Sequence, residues 1–294
     1  MNSPLSQIDQ WPVPHAAAAV IGPAGIVAQH GNPQHEFRLA SISKVMMGYA
    51  TLIAVEEGSV KLDDVVESAE PPEQADRPEH SETERAAGQV PVTLRQLLSH
   101  AAGFGFDSGS KQVSPPQTRR IYSNEGIERA AVYVEQCTEM PFVDYLREAL
   151  FEPLAMVNTE LRGSPASHVH SNLLDLSLFA RELLRPTLLA PETFADFTTC
   201  QFPSLAGILP GIGRFDPLPW GLGVEIKGHK HPHWSGRFTS PSTFGHFGGT
   251  GTFLWVDPTR DLAVVALADR EFDAWAMAVW PPFNDAIVSW YRAS

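Results

Sequence analysis

The 294-residue sequence has few cysteines, few positive charges relative to negative ones, and no long apolar run. Cys137 and Cys200 are the only cysteines, with neither a CxxC pair nor a dense framework. That excludes a disulfide scaffold and a thiolate metal site, and both are read as reduced, buried thiols of a cytoplasmic protein. Lys and Arg total 21 against 34 Asp and Glu, a formal net charge of −13. Nucleic acid and anionic lipid are therefore poor partners, because neutralising phosphates requires clustered cations. No stretch approaches the roughly 18 consecutive apolar residues of a membrane span. Residues 1–14 lack Lys, Arg and an apolar core, so no secretory leader is expected there.

With 43% hydrophobic residues the chain can bury a sizeable core. The runs AAAAVIG and IVAQHG, separated by Pro23-Ala24-Gly25, suit a β-hairpin. Residues Val45 to Val55 carry no charge and are apolar on nearly every face, which predicts a buried helix ending at Glu56-Glu57-Gly58. Residues 68–89 are rich in Glu, Asp and Pro and read as a long solvated loop; the acidic run from Asp63 to Glu84 is a solvated face. Thr93 to Gln96 offers a capping box, with Gly103 as the stop. Helical spacing recurs at Ala130, Val134 and Cys137, at Phe142, Tyr145 and Leu146, and at Leu173, Leu176, Phe179 and Leu183. After Pro210, WGLGVEIKG, TFGHFG, TGTFLWVD and LAVVALAD read as strands, and a last helix from Asp273 is interrupted at Pro281-Pro282. The expected fold is α+β: one antiparallel sheet built from both ends of the chain (residues 1–58 and 211–294), with a helical lobe, residues 59–210, inserted between and the active site where they meet.

Ser41-Ile-Ser-Lys44 places a hydroxyl and an ammonium three residues apart, on one face of a helical turn. A serine hydroxyl needs a base, and a lysine accepts a proton only if burial lowers its pKa; the charge-free helix behind Lys44 supplies that burial. S-x-x-K alone is weak, arising by chance about once per 250 positions. Ser108-Gly-Ser-Lys111 matches it too, but no apolar helix follows to desolvate its lysine. Ser41 gains weight from Tyr122-Ser-Asn124, a phenol that can relay a proton and an amide that can hold a carbonyl. It gains more from His246-Phe247-Gly248, where small residues let a substrate approach a strand.

FRLASISK, LLSHAAGF, YSNEG, LFEPLAM, WGLGVEI and GHFGGTGTFLWVDP together resemble the serine β-lactamase and penicillin-binding-protein superfamily. Within it they look like the branch of class C β-lactamases, D-aminopeptidases, DD-peptidases and family VIII esterases, from about Phe37 to Arg270. The resemblance implies a sheet of about five antiparallel strands flanked by N- and C-terminal helices, with a helical lobe. It makes Ser41 the acylated nucleophile, Lys44 its base partner, Tyr122 the general base or proton relay, Asn124 a substrate ligand and His246 the occupant of the third-motif position where many relatives have Lys. The oxyanion hole would be the backbone N–H groups of Ser41 and Gly249. Phe247 stands where relatives usually have a Thr that helps hold a carboxylate, and the interval from Asn124 to His246 is short for this branch, which implies a site more open or covered by another loop.

The expected function is an acyl-enzyme serine hydrolase acting on a small-molecule ester or amide, foremost carboxylesters of small or medium acyl groups. D-amino-acid amidase or peptidase, weak β-lactamase, acyltransferase and a silent binding relative are the alternatives. Phe247, Gly248, Gly249 and Trp220 would line the substrate site. No cofactor or metal is expected: His229, His231 and His233 read as a solvated loop because Pro232 breaks their alternation. His100 reads as structural, Trp234 as core, and Gly248-Gly-Thr-Gly251 as active-site strand, not as a nucleotide loop. Nothing in the sequence sets an oligomeric state.

Overall fold

A computed structural model describes residues 3–66 and 90–293. The loop expected at 68–89, and most of the acidic run 63–84, lie outside the described residues. Six antiparallel strands form the main sheet: β1 (Ala16–Gly22), β2 (Gly25–Gly31), β3 (Glu225–Ile226), β4 (Phe244–Gly248), β5 (Thr252–Asp257) and β6 (Leu262–Ala268), in the spatial order β3-β4-β5-β6-β1-β2. The sixth strand is the two-residue edge β3, the part of the WGLGVEIKG run that pairs with the main sheet.

Alternation along each strand sorts the side chains into two layers. Ala17, Ala19, Ile21, Leu254, Val256 and Val265 face a core shared with the helices. Ala18, Val20, Phe247, Phe253, Trp255 and Val264 face Trp280, Phe283, Ile287 and Val288 of the C-terminal helix. That helix runs unbroken from Ala274 to Ala293 and contains Pro281 and Pro282, so the expected interruption does not occur. Its buried aromatic and aliphatic face holds it on the sheet, and that tertiary packing outweighs the loss of two backbone donors.

The helices are α1 (Ser43–Glu56), α2 (Leu94–Leu98), α3 (Asn124–Thr138), α4 (Phe142–Leu146), α5 (Leu173–Leu184), α6 (Pro191–Thr198) and α7 (Ala274–Ala293). Helix α1 is buried on nearly every face, as its lack of charge predicts. A Cβ on Gly48 would stand 2.3 Å from Leu222 O, so only glycine lets the helix press against the WGLG segment. The Thr93–Gln96 capping box is formed at α2. The stop comes at Ser99 and His100, before Gly103; His100 takes φ +58°, a conformation His tolerates better than most residues.

Both cysteines correct the sequence reading: Cys137 is exposed and Cys200 half-buried. On α3 the buried stripe is Ile127, Ala130, Ala131 and Val134, and Cys137 lies beyond it at the helix end. No described helix is long and apolar enough to cross a membrane.

Candidate active site

Strand β4 reaches the start of α1 because Gly248 has no side chain: a Cβ there would lie 2.2 Å from Leu39 O. Thr252 donates to the same carbonyl at 2.9 Å and Thr250 to Arg38 O at 2.6 Å, pinning the strand to the residues before Ser41. Ser41 sits in a 3-10 turn, Ala40–Ile42, that leads into α1. Ala40 has φ +47°, a strained conformation for a residue with a Cβ. That strain immediately precedes the hydroxyl of interest.

Lys44 Nζ is fully buried and makes three contacts: Ser41 Oγ at 3.2 Å, Asn124 Oδ1 at 2.6 Å and Ala166 O at 2.8 Å. It also lies 4.9 Å from the Tyr122 ring centroid. Burial lowers the ammonium pKa to about 7, with Glu128 pulling weakly the other way. A neutral amine has two hydrogens and one lone pair. Of its three partners, Asn124 Oδ1 and Ala166 O can only accept, so the lone pair is left for the Ser41 hydroxyl proton.

Tyr122 is buried, and burial raises its phenol well above the ordinary value; hydrogen bonding with Ser41 works against the rise and the Glu225 charge adds to it. Tyr122 is therefore a phenol at neutral pH. Its ring meets His100, Trp220 and His246 at centroid distances of 4.7, 5.7 and 5.5 Å. His100 holds the segment before and after it: its carbonyl accepts from Ile121 N–H at 3.0 Å and its Nδ1 from Ser123 N–H at 3.3 Å.

Burial, with the Lys44 charge beside it, lowers the His246 pKa to about 3, so the ring is neutral. Its Nδ1 lies 2.6 Å from Phe247 O, which makes Nδ1 the donor and leaves Nε2 with no protein partner among the described residues. Phe247, one residue on, belongs to the opposite layer of the sheet: its ring packs on Trp234, Phe272 and Trp280. The structure thus brings Ser41, Lys44, Tyr122, Asn124, Trp220 and His246 together, places Gly248 against the residues before Ser41, and turns Phe247 into the aromatic layer under α7. Ser108, of the second S-x-x-K, instead donates to Glu128 at 2.7 Å, and Lys111 is exposed.

The histidine-rich segment divides: His229 and His231 are exposed, as expected of a solvated loop, whereas His233 is buried, against that expectation. Lys230 and His233 are buried on Glu225, with Oε1 2.6 Å from Lys230 Nζ and 2.9 Å from His233 Nε2, while Trp234 Nε1 donates to Oε2 at 2.7 Å. Burial pushes the Glu225 carboxyl up, but the charges of Lys230 and His233 outweigh it and hold the group well below the usual range. Glu225 bridges to Trp220 across one β-pair, so this ionic cluster lies directly behind the aromatic wall of the site. At the surface, His15, His35 and Asp269 hold their ligand atoms within 4.8 Å of one another, a grouping that no spacing in the sequence announces.

The family model described as Beta-lactamase matches residues 9–288. The chain belongs to the β-lactamase family. A β-lactamase family structure from Mycobacterium bovis is 43% identical, with a TM-score of 0.88 over 98% of this chain and 99% of that one. The unliganded simvastatin synthase of Aspergillus terreus shares the fold at 16% identity, with a TM-score of 0.74 over 99% of this chain and 97% of that one. A D-stereospecific amidohydrolase from a Streptomyces species does so at 17% identity, with a TM-score of 0.67 over 93% and 95%. Membership in the β-lactamase family makes this chain a hydrolase of the fold used by serine enzymes.

Proposed function

We propose that this chain hydrolyses esters of small or medium acyl groups through an acyl-enzyme on Ser41. The observation that carries the reading is the Lys44 contact set, which among the described residues leaves the neutral amine only Ser41 as a proton donor. Ser41 Oγ attacks the carbonyl carbon as its proton passes to Lys44 Nζ. The backbone N–H groups of Ser41 and Gly249 take the oxyanion, worth about 3–4 kcal/mol per donor in comparable sites. Tyr122 gives its phenol proton to the leaving oxygen and regains one from Lys44; the ester C–O bond breaks and the acyl group stays on Ser41. Asn124, whose Oδ1 is held by Lys44, keeps its amide N–H₂ for a substrate carbonyl. Water then hydrolyses the acyl-enzyme by the reverse proton path. A fluorophosphonate probe followed by intact-mass analysis tests this: the parent gains one adduct and Ser41→Ala gains none. An adduct on Ser41→Ala, or none on the parent, refutes it.

Substrate choice follows from the strand that borders Ser41. A β-lactam carboxylate is held by a hydroxyl or cation at the third motif, whereas here His246 is neutral and the Phe247 ring faces away. A carboxylate buried without a partner costs several kcal/mol. A chromogenic cephalosporin is expected to be turned over at least about a hundredfold less efficiently than p-nitrophenyl acetate or butyrate. Comparable kcat/KM values on the two would overturn this account.

A further inference from the structure

The hairpin formed by Gly207–Leu209 and Gly213–Phe215 packs on the segment that carries Tyr122. Arg120 N–H donates to Ala206 O at 2.8 Å, and a Cβ on Gly207 would stand 2.5 Å from Arg120 O. Between the hairpin, residues 119–122 and the loop bearing Phe106 and Val113 lies a cavity of about 410 Å³. That is the size of a small-molecule site, and Phe106, Val113 and Ile208, which line it, expose their apolar side chains to solvent. Tyr122 is the residue it shares with the Ser41 cluster.

Charge gives the cavity its second property. Arg119, Arg120 and Arg214 line it, in a chain whose formal net charge is −13. Ile208 and Arg214 are cross-strand partners and so share one face of the hairpin. Arg119 and Arg214 are exposed and have no ion-pair partner among the described residues. Arg120 is buried, and its guanidinium donates to the carbonyls of Ser99, Gln201, Phe202 and Leu218, with no described carboxylate beside it. Burial lowers its pKa to about 10, which leaves it charged at neutral pH. Apolar walls with an unneutralised cationic rim suit a ligand that is apolar along its length and anionic at its far end.

We propose that this cavity receives the leaving part of the substrate, an apolar alcohol arm ending in a carboxylate that Arg119 and Arg214 hold. The assignment rests on the acyl-enzyme reading above: the leaving oxygen is the substrate atom that takes the Tyr122 proton, so the group attached to it abuts Tyr122 and enters the cavity. The anion sits at the end of the arm, away from the scissile bond and from the 246–248 strand.

Two acetate esters test it: that of 4-(4-hydroxyphenyl)butanoate and that of the corresponding neutral amide. The anionic ester should have the higher kcat/KM by at least about tenfold, the factor one charge-assisted hydrogen bond supplies. Added salt should shrink the preference. The double variant R119A/R214A, altered only at exposed side chains, should lose the preference while keeping parent-like turnover of the neutral amide. Equal rates on the two esters, or a preference that survives in the double variant, overturns the proposal. Calorimetry with Ser41→Ala and free 4-(4-hydroxyphenyl)butanoate separates this from the chemistry. Binding that needs both arginines supports the cavity even if Ser41 proves not to be the nucleophile, and failure to bind counts against the cavity alone.

Discussion

Lys44→Ala and Tyr122→Phe should each slow acylation of Ser41 by at least about a hundredfold, the lower range for loss of a positioned acid-base group. The two losses have different physical origins. Lys44→Ala removes the lone pair that receives the Ser41 proton and leaves Ala166 O and Asn124 Oδ1 without their buried donor. Tyr122→Phe leaves the base in place but removes the proton destined for the leaving oxygen, so its effect should be largest on alkyl esters with poor leaving groups and smallest on p-nitrophenyl esters. The pH profile carries the sign. With Lys44 lowered to about 7, the active amine is the deprotonated form, so kcat/KM should rise with pH through about 7 and level off above it. An activity that falls as pH rises through 7 would mean that Lys44 works as a cation. Pre-steady-state burst measurements with p-nitrophenyl acetate give the acylation rate of Lys44→Ala directly, and kcat/KM on an alkyl ester such as ethyl butyrate tests Tyr122→Phe; a near-parent value in either measurement would remove that residue from the mechanism.

How much of this was legible in the sequence depends on whether the responsible interaction is local. The charge-free run behind Lys44 announces burial, and the structure places Lys44 in that buried helix. The near-continuous apolar runs around Trp255 and Val265 announce strands, because a sheet covered on both faces needs apolar residues at every position. What the sequence hides is set by contacts between distant segments. HKHPH looks polar throughout, and only the fold shows that Glu225 draws Lys230 and His233 inward while His229 and His231 stay exposed. Phe247 follows His246 in sequence, yet strand alternation sends the two rings to opposite sides of the sheet, so a motif read as three adjacent residues divides between two layers. The arginine-rimmed cavity is likewise assembled from residues about ninety positions apart, 119–122 and 206–214, and no periodicity connects them.

Glu225→Ala should destabilise the folded chain by about 3–5 kcal/mol, the range for breaking a buried ion pair by removing one partner. The carboxylate is 1% exposed and serves three groups at once: Lys230, His233 and the Trp234 indole. Its removal leaves an ammonium with only the Ile226 carbonyl as a hydrogen-bond partner among the described residues, in a site that already disfavours charge. The cost therefore comes from the stranded cation and not from the lost contacts alone. Glu225→Gln separates these contributions, since the amide oxygen can still accept from Trp234 while the charge is gone, and its loss should approach that of the alanine variant. The pH dependence has a definite sign. A carboxyl held below its ordinary value contributes stability that is fully present above about pH 4.3, the unfolded value, and is lost as the pH falls through the folded value. His233 titrates against the same carboxylate between about pH 5 and 7, so the sign is read below about pH 4.3, where the difference in unfolding free energy between parent and Glu225→Gln should shrink as the pH falls. Urea unfolding at several pH values measures this, and a Glu225→Gln variant as stable as the parent at pH 7 would show that the buried cluster does not depend on its negative charge.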